Sequence, residues 1–227
     1  MSERSKRTVQ SIIAEMKAQG SPEAIDGMRQ FGINFKKGFG LNTPQIRAIA
    51  RGIGTDQTLA EHLWRSGIQD ARILASFIGD PASISRTTMD RWAGDFDNWG
   101  VCDACSYGLF DRSPHALSRI HKWAGDEREF VRRAAFATIA GMSVHDKKAP
   151  DEIFVGFLPL IEKYSFDDRN FVRKAVNWAL RAIGKRNAIL RSAAIDCAER
   201  VHVQGTSSAR WIASDALREL RAKDNHK

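Results

Sequence analysis

Residues 126–134 read Asp-Glu-Arg-Glu-Phe-Val-Arg-Arg-Ala, and residues 167–175 read Asp-Asp-Arg-Asn-Phe-Val-Arg-Lys-Ala. Asp, Arg, Phe, Val, Arg and Ala recur at the same relative positions, 41 residues apart. A period near 40 to 47 residues belongs to HEAT and armadillo repeats, in which each unit is a pair or triplet of helices that buries its apolar face only by stacking on its neighbours. Each stretch is acidic before its helix and basic within it. Acidic residues favour a helix N-terminus, so capping accounts for part of the pattern. It does not account for the Phe-Val-basic-basic-Ala core at identical spacing.

The rest of the chain agrees with this period. Apolar residues recur at helical spacing, as in Leu59, Leu63, Ile73, Leu74, Phe77 and Ile78, and no stretch alternates in the manner of a strand. Breaks at 38–44, 79–85, Ser113-Pro114, Ala149-Pro150 and 205–208 leave helices of ordinary length joined by short loops. The expected fold is all-α: an α-solenoid of HEAT-like repeats, residues 1–227 forming a single domain whose curved, concave surface suits an extended ligand such as a duplex.

Lys and Arg number 35 against 27 Asp and Glu, a formal charge of +8 that draws the chain toward polyanions through counterion release. Solvated lysine faces give the same sum, so charge does not decide the partner. The charged N-terminal stretch runs into no apolar segment of membrane-spanning length, and three cysteines do not make a disulfide framework, so a cytoplasmic location is expected. Cys102 and Cys105 form a Cys-x-x-Cys, but there is no second such pair and no paired His motif. No metal site and no other cofactor is implied.

Helical steps of 100° assign the faces. After Phe171, Val172, Val176, Leu180 and Ile183 form an apolar stripe, while Lys174, Trp178, Arg181 and Lys185 form a basic stripe with a Trp inside it. Cations attract phosphates, and an indole face attracts cations or stacks on sugars and bases. The repeat maps Lys174 onto Arg133, on a side shared with Ala137 and Ala140. Those small residues leave room for a ligand or serve tight helix packing. Earlier, Val101, Cys102, Cys105 and Leu109 fall on one side of a helix, and Trp99, Asp103, Ser106, Tyr107 and Phe110 on the other. Both cysteines thus read as core. Asp103, an acid among aromatics in a basic chain, reads either as a functional group or as the structural partner of an Arg.

With these motifs in hand, Trp99-Gly-Val-Cys-Asp103, Phe130-Val-Arg-Arg133-Ala and Phe171-Val-Arg-Lys-Ala-Val-Asn-Trp178-Ala-Leu-Arg, the chain resembles the DNA alkylation repair glycosylases built from HEAT-like repeats. Leu63-Trp64-Arg65-Ser66 and Arg210-Trp211-Ile212-Ala213 extend the likeness over nearly the whole chain. The resemblance implies excision of N3- or N7-alkylated purines from double-stranded DNA by a monofunctional glycosylase acting as a monomer without a cofactor. It makes Asp103 the catalytic aspartate, Trp99 and Trp178 the site tryptophans, and Arg133 a phosphate contact that Lys174, Arg181 and Lys185 extend. Asn98 and Gly100 depart from the family pattern of an aromatic and an acid beside the first Trp, and Gly100 is expected to cost that helical turn up to about 1 kcal/mol relative to Ala. A HEAT-type scaffold that binds nucleic acid without chemistry, and a solenoid that binds an acidic protein, fit the same basic stripe. The Phe35-Lys36-Lys37-Gly38 loop is compatible with DNA contact or with simple solvation.

Overall fold

The computed structural model describes residues 7–222; the charged residues 1–6 lie outside them. Helices and one short 3-10 turn make up the regular structure, with no strand among the described residues. The chain divides into two compact units, the first ending at Leu109 and the second beginning at Phe110.

The first unit holds α1 (Val9–Ala18), α2 (Pro22–Gln30), α3 (Thr43–Ile53), α4 (Gln57–Arg65), α5 (Gln69–Ile78), α6 (Arg86–Gly94) and α7 (Trp99–Gly108). Local chemistry starts most of them. Side chains of Thr8, Ser21, Asn42, Asp56, Ser85 and Asn98 each accept a hydrogen bond from a backbone N–H of the first turn, replacing partners the helix cannot supply. Pro follows the cap in α2 and near it in α3, where its missing N–H costs nothing. α5 packs on α3, α4 and α7. In the core Trp64 and Trp92 stack with ring centres 4.1 Å apart, and Trp64 Nε1 donates to Asp95 Oδ2 at 2.8 Å. The Arg72 guanidinium lies over the Trp64 ring, 5.1 Å from its centre.

The second unit holds the 3-10 turn Phe110–Arg112, α8 (Ala116–Ala124), α9 (Glu129–His145), α10 (Asp151–Val155), α11 (Leu158–Tyr164), α12 (Asn170–Gly184), α13 (Ala188–Val203) and α14 (Ser207–Ala222). Val172, Val176, Leu180 and Ile183 are all fully buried, as their stripe requires. α9 is the most enclosed helix. It packs on α8 and α12, and Ala137 and Ala140, 0% exposed, serve that close packing and not ligand access. Gly141 lets the 3-10 turn approach: a Cβ there would lie 2.8 Å from Asp111 Cβ and Oδ2. The Asp111 side chain is fully buried and meets His145 Nδ1 at 2.5 Å. Burial pushes its carboxyl above the ordinary range, against the pull of His145 and Arg112.

The repeated sequence has a structural cause that capping does not describe. Asp126 and Asp167 lie before the helices, not in their first turns. Each accepts the backbone N–H two residues on and a two-pronged bond from that Arg. For Asp126 the partner is Arg128, at 2.9 Å from N, 2.9 Å from Nε and 2.7 Å from Nη2. For Asp167 it is Arg169, at 3.2, 2.9 and 2.5 Å. The same Asp-x-Arg turn therefore fixes the chain's approach to α9 and to α12. Arg169 Nη1 also donates to the Glu127 carbonyl at 2.6 Å, joining one turn to the other.

Candidate nucleic-acid interface

In the first unit the candidate residues Trp99 and Asp103 are set by the start of α7. The Asn98 carboxamide oxygen accepts from the N–H of Gly100 at 2.9 Å and of Val101 at 3.2 Å. Its nitrogen donates to Asp97 Oδ1 at 2.8 Å, Gln69 Oε1 at 3.0 Å and the Asn34 carbonyl at 3.3 Å. Asn98 is fully buried, so these bonds replace all of its water. Gln69 and Asp70 open α5 and hold the 31–42 loop. Gln69 N–H donates to the Lys37 carbonyl at 2.8 Å, and the Asp70 carboxylate accepts from Phe39 at 2.6 Å and Leu41 at 2.8 Å. Lys36 and Lys37 are exposed on that loop. The indole Nε1 of Trp99 donates to the Phe31 carbonyl at 2.9 Å, which fixes the ring.

Gly100 differs from its expected role as a loosener of the turn. A Cβ there would lie 3.1 Å from Asn98 Oδ1, 3.4 Å from Gln69 Nε2 and 3.5 Å from Ile33 Cδ1. The absent side chain lets the cap and the loop close on the helix, a packing gain that sequence propensity does not register. Asn98→Ala is expected to lower the unfolding free energy by about 2 to 3 kcal/mol, the sum of a lost cap and stranded Gln69 and Asn34 groups, as read by urea denaturation. A loss below about 0.5 kcal/mol would contradict this account of the cap.

The exposed side of α7 forms one wall of a cleft of about 410 Å³, contributing Trp99, Asp103, Ala104 and Tyr107; Met28, Ile33, Ile46 and Phe77 stand among the other lining residues. Asp103 is half-buried. Cys102 and Cys105 are fully buried on the core side. Burial drives the Cys105 thiol well above its ordinary pKa, helped by Cys102 and opposed by Arg72, so it is neither nucleophile nor ready metal ligand. No group of three or more metal-ligating side chains occurs among the described residues. Two residues assigned to the Asp103 side lie elsewhere. Ser106 is buried, and Phe110 falls beyond the end of α7 at Gly108, where the helical step no longer applies.

The second unit carries Arg133, Lys174, Trp178, Arg181 and Lys185. Arg133 is only 7% exposed and donates from Nη1 to the Phe171 carbonyl at 2.6 Å. Its neighbour Arg132 reaches Asp167 Oδ2 at 2.5 Å and the Ala124 carbonyl at 3.0 Å, with its guanidinium 5.0 Å from the Tyr164 ring centre. Burial works to raise the Asp167 carboxyl, but hydrogen bonds from Arg169 and Arg132 outweigh it and hold the carboxyl below its ordinary range. Along α12 and α14 contacts recur at a separation of 38 residues. Arg173 lies over Trp211 at 5.1 Å, Asn177 donates to Asp215 at 2.7 Å, and Arg181 donates to Glu219 at 2.7 Å. Lys185 closes the ladder on Glu219.

Of the basic stripe, then, Arg181 and Lys185 have their charge matched by acids of α14, while Lys174 is exposed and Trp178 half-buried. The acids lie 34 or 38 residues downstream of their partners, a register that helical periodicity within α12 does not reveal. Lys174→Ala is expected to reduce the salt dependence of DNA binding by about one unit of slope with little change in stability. Arg181→Ala is expected to lower stability by about 1 kcal/mol, since the ladder is partly solvent-exposed. Equal effects of the two changes on the salt slope would refute that division of roles.

The family model of DNA alkylation repair enzymes matches residues 12–220. The chain belongs to the DNA alkylation repair enzyme family. A solved structure from "a new family of proteins related to the HEAT-like repeat DNA glycosylases with affinity for branched DNA structures" is similar with a TM-score of 0.74 at 21% identity, covering 86% of this chain and 83% of that one. At that identity the likeness establishes the HEAT-like helical-repeat fold. No curated protein matches the chain. For a DNA alkylation repair protein, the residues that sequence reading missed are those lining the cleft opposite α7, notably Met28, Ile46 and Phe77. Their apolar character was visible but their meeting point was not.

Proposed function

We propose that this DNA alkylation repair protein is a monofunctional glycosylase that hydrolyses the N-glycosidic bond of N3- or N7-alkylated purines in double-stranded DNA. The observation that carries this reading is a carboxylate, Asp103, lining a cleft beside a tryptophan whose ring is fixed by its own N–H. Alkylation at N3 or N7 makes the purine cationic and already a good leaving group. What remains is an oxocarbenium-like sugar and a water to attack it, the task carboxylates perform in glycoside hydrolysis. Asp103 stabilises the sugar cation and orients the water. Water adds to C1′ as the C1′–N bond breaks, the base departs neutral, and the water's proton passes to solvent.

Trp99 offers a negative ring face to the cationic centre, contributing about 0.5 to 2 kcal/mol, and Trp178 offers a ring face for DNA within the basic stripe of the second unit. Arg133 and Lys174 hold phosphates, while Arg181 and Lys185, the remainder of the stripe, tie α12 to α14 through Asp215 and Glu219. The reaction needs no cofactor, because the substrate brings its own activating charge, and one protein molecule suffices. Incubation with methylated duplex DNA is expected to release 3-methyladenine or 7-methylguanine, detected by chromatography of the free bases. A second reading follows from the relatives with affinity for branched DNA: binding without chemistry. Tight binding with no base released from any alkylated duplex would establish that second reading in place of the first.

A further inference from the structure

In the second unit, the loop that leaves α9 is anchored far more firmly than its exposure requires. The Arg186 guanidinium, just past α12, lies 3.8 Å from the Phe154 ring centre. Its Nη1 donates to the carbonyls of Ser143 at 2.8 Å and Asp146 at 2.9 Å, and its Nη2 to that of Ala149 at 3.3 Å. The Asp146 carboxylate accepts from the N–H groups of Lys148 at 3.2 Å and Ala149 at 3.0 Å. On one side His145 is held by the buried Asp111, and on the other Asn187 donates to both oxygens of Asp151, at 3.0 and 2.9 Å. Cations favour a helix C-terminus, which accounts for Arg186. It does not account for Lys147 and Lys148. Both are exposed, and neither side chain has a hydrogen bond or an ion pair among the described residues. By contrast Arg181, Lys185, Arg200 and Arg221 all meet an acid.

We infer that Lys147 and Lys148 form a second phosphate-binding point for duplex DNA, apart from the one at Arg133 and remote from the reacting sugar. The inference rests on the DNA binding of the reading above and not on its chemistry. A loop already fixed by Arg186 and Asp146 loses little conformational entropy when phosphates arrive, so its two cations act at nearly full strength. From Arg133 to His145, α9 rises about 18 Å, the length of about five base pairs of duplex. The two points therefore hold different phosphates. Lysines there sense charge and not sequence, as a protein searching undamaged DNA requires.

The test measures binding to an undamaged duplex, long enough to reach both points, over a series of salt concentrations. Lys147→Gln and Lys148→Gln together are expected to lower the slope of log affinity against log salt by about 1.8, the value for two phosphate contacts. The wild type's advantage over this pair then falls about tenfold between about 50 and 200 mM salt. Lys147→Arg with Lys148→Arg is expected to keep the wild-type slope. Arg200→Gln with Arg221→Gln removes the same charge from side chains 53% and 56% exposed, and is expected to leave the slope unchanged. An unchanged slope in the Gln pair at 147 and 148 would overturn the inference. So would an equal fall in the Arg200 and Arg221 pair, which would make the effect one of net charge, or a fall that Arg at both positions does not restore, which would make it one of loop shape. Wild-type protein that shows the predicted slopes but releases no base from alkylated duplex would sink the glycosylase reading and leave this contact standing.

Discussion

Asp103→Asn is expected to slow release of alkylated purines from duplex DNA by about 10² to 10³ under single-turnover conditions, the usual loss when one preorganised electrostatic group is removed from a reaction centre. Asn keeps the shape and an acceptor oxygen but removes the negative charge that meets the sugar cation. Position 103 lies inside α7 and takes no part in the Asn98 cap, so the helix start is untouched. Binding to the same duplex is expected to change little, because most of the affinity comes from phosphate contacts. A wild-type rate in Asp103→Asn would remove this residue from the chemistry. An equal fall in rate and affinity would instead make it a binding group.

The second large effect concerns the fold. The Asp167 side chain is 4% exposed and serves Arg132, itself 12% exposed, together with Arg169. Asp167→Asn leaves two cations facing a neutral amide, and breaking a buried pair of this kind costs about 3 to 5 kcal/mol. The pH dependence has a definite sign. A carboxyl held below its unfolded value of 3.8 adds stability that is fully present above that value and is lost as pH falls through the lower folded value. Denaturation curves should therefore show the gap between wild type and Asp167→Asn widest at neutral pH and closing below about pH 4. A gap that stays constant into acid would mean the loss comes from packing and not from charge. Asp111 acts in the opposite sense. Burial raises its carboxyl, so that residue's contribution weakens as pH rises from 3.8 toward its folded value.

The features legible in the sequence are those set by neighbours in the chain. Val172, Val176, Leu180 and Ile183 are core because they recur at helical spacing, and Cys102 and Cys105 follow Val101 into the interior for the same reason. The 41-residue repeat showed the HEAT-like arrangement because each copy builds the same Asp-x-Arg turn. Trp211, weak as an isolated signal, receives Arg173 on its ring. Features that depend on register between distant helices were not legible. Nothing within α12 indicates that Arg181 and Lys185 meet Glu219. Likewise Asn98 and Gly100, departures from a family pattern when read along the chain, are the cap and the close contact that seat α7 against Gln69 and Ile33. Arg133 shows both sides: the repeat selected it, yet only tertiary structure reveals its bond to the Phe171 carbonyl.

The placement of the thiols bears on survival of the protein during the damage it answers. Agents that methylate purine nitrogens also attack sulfur, and they do so through the thiolate. Cys102, Cys105 and Cys197 are all 0% exposed. Burial lifts Cys197 to about 12, opposed by nearby Arg200, so the thiol form dominates at neutral pH. The thiols are thus withheld from the electrophile by shape, and Cys105 and Cys197 by protonation as well. A protein that enters a methylating environment to work on DNA keeps its own softest nucleophiles out of the reaction.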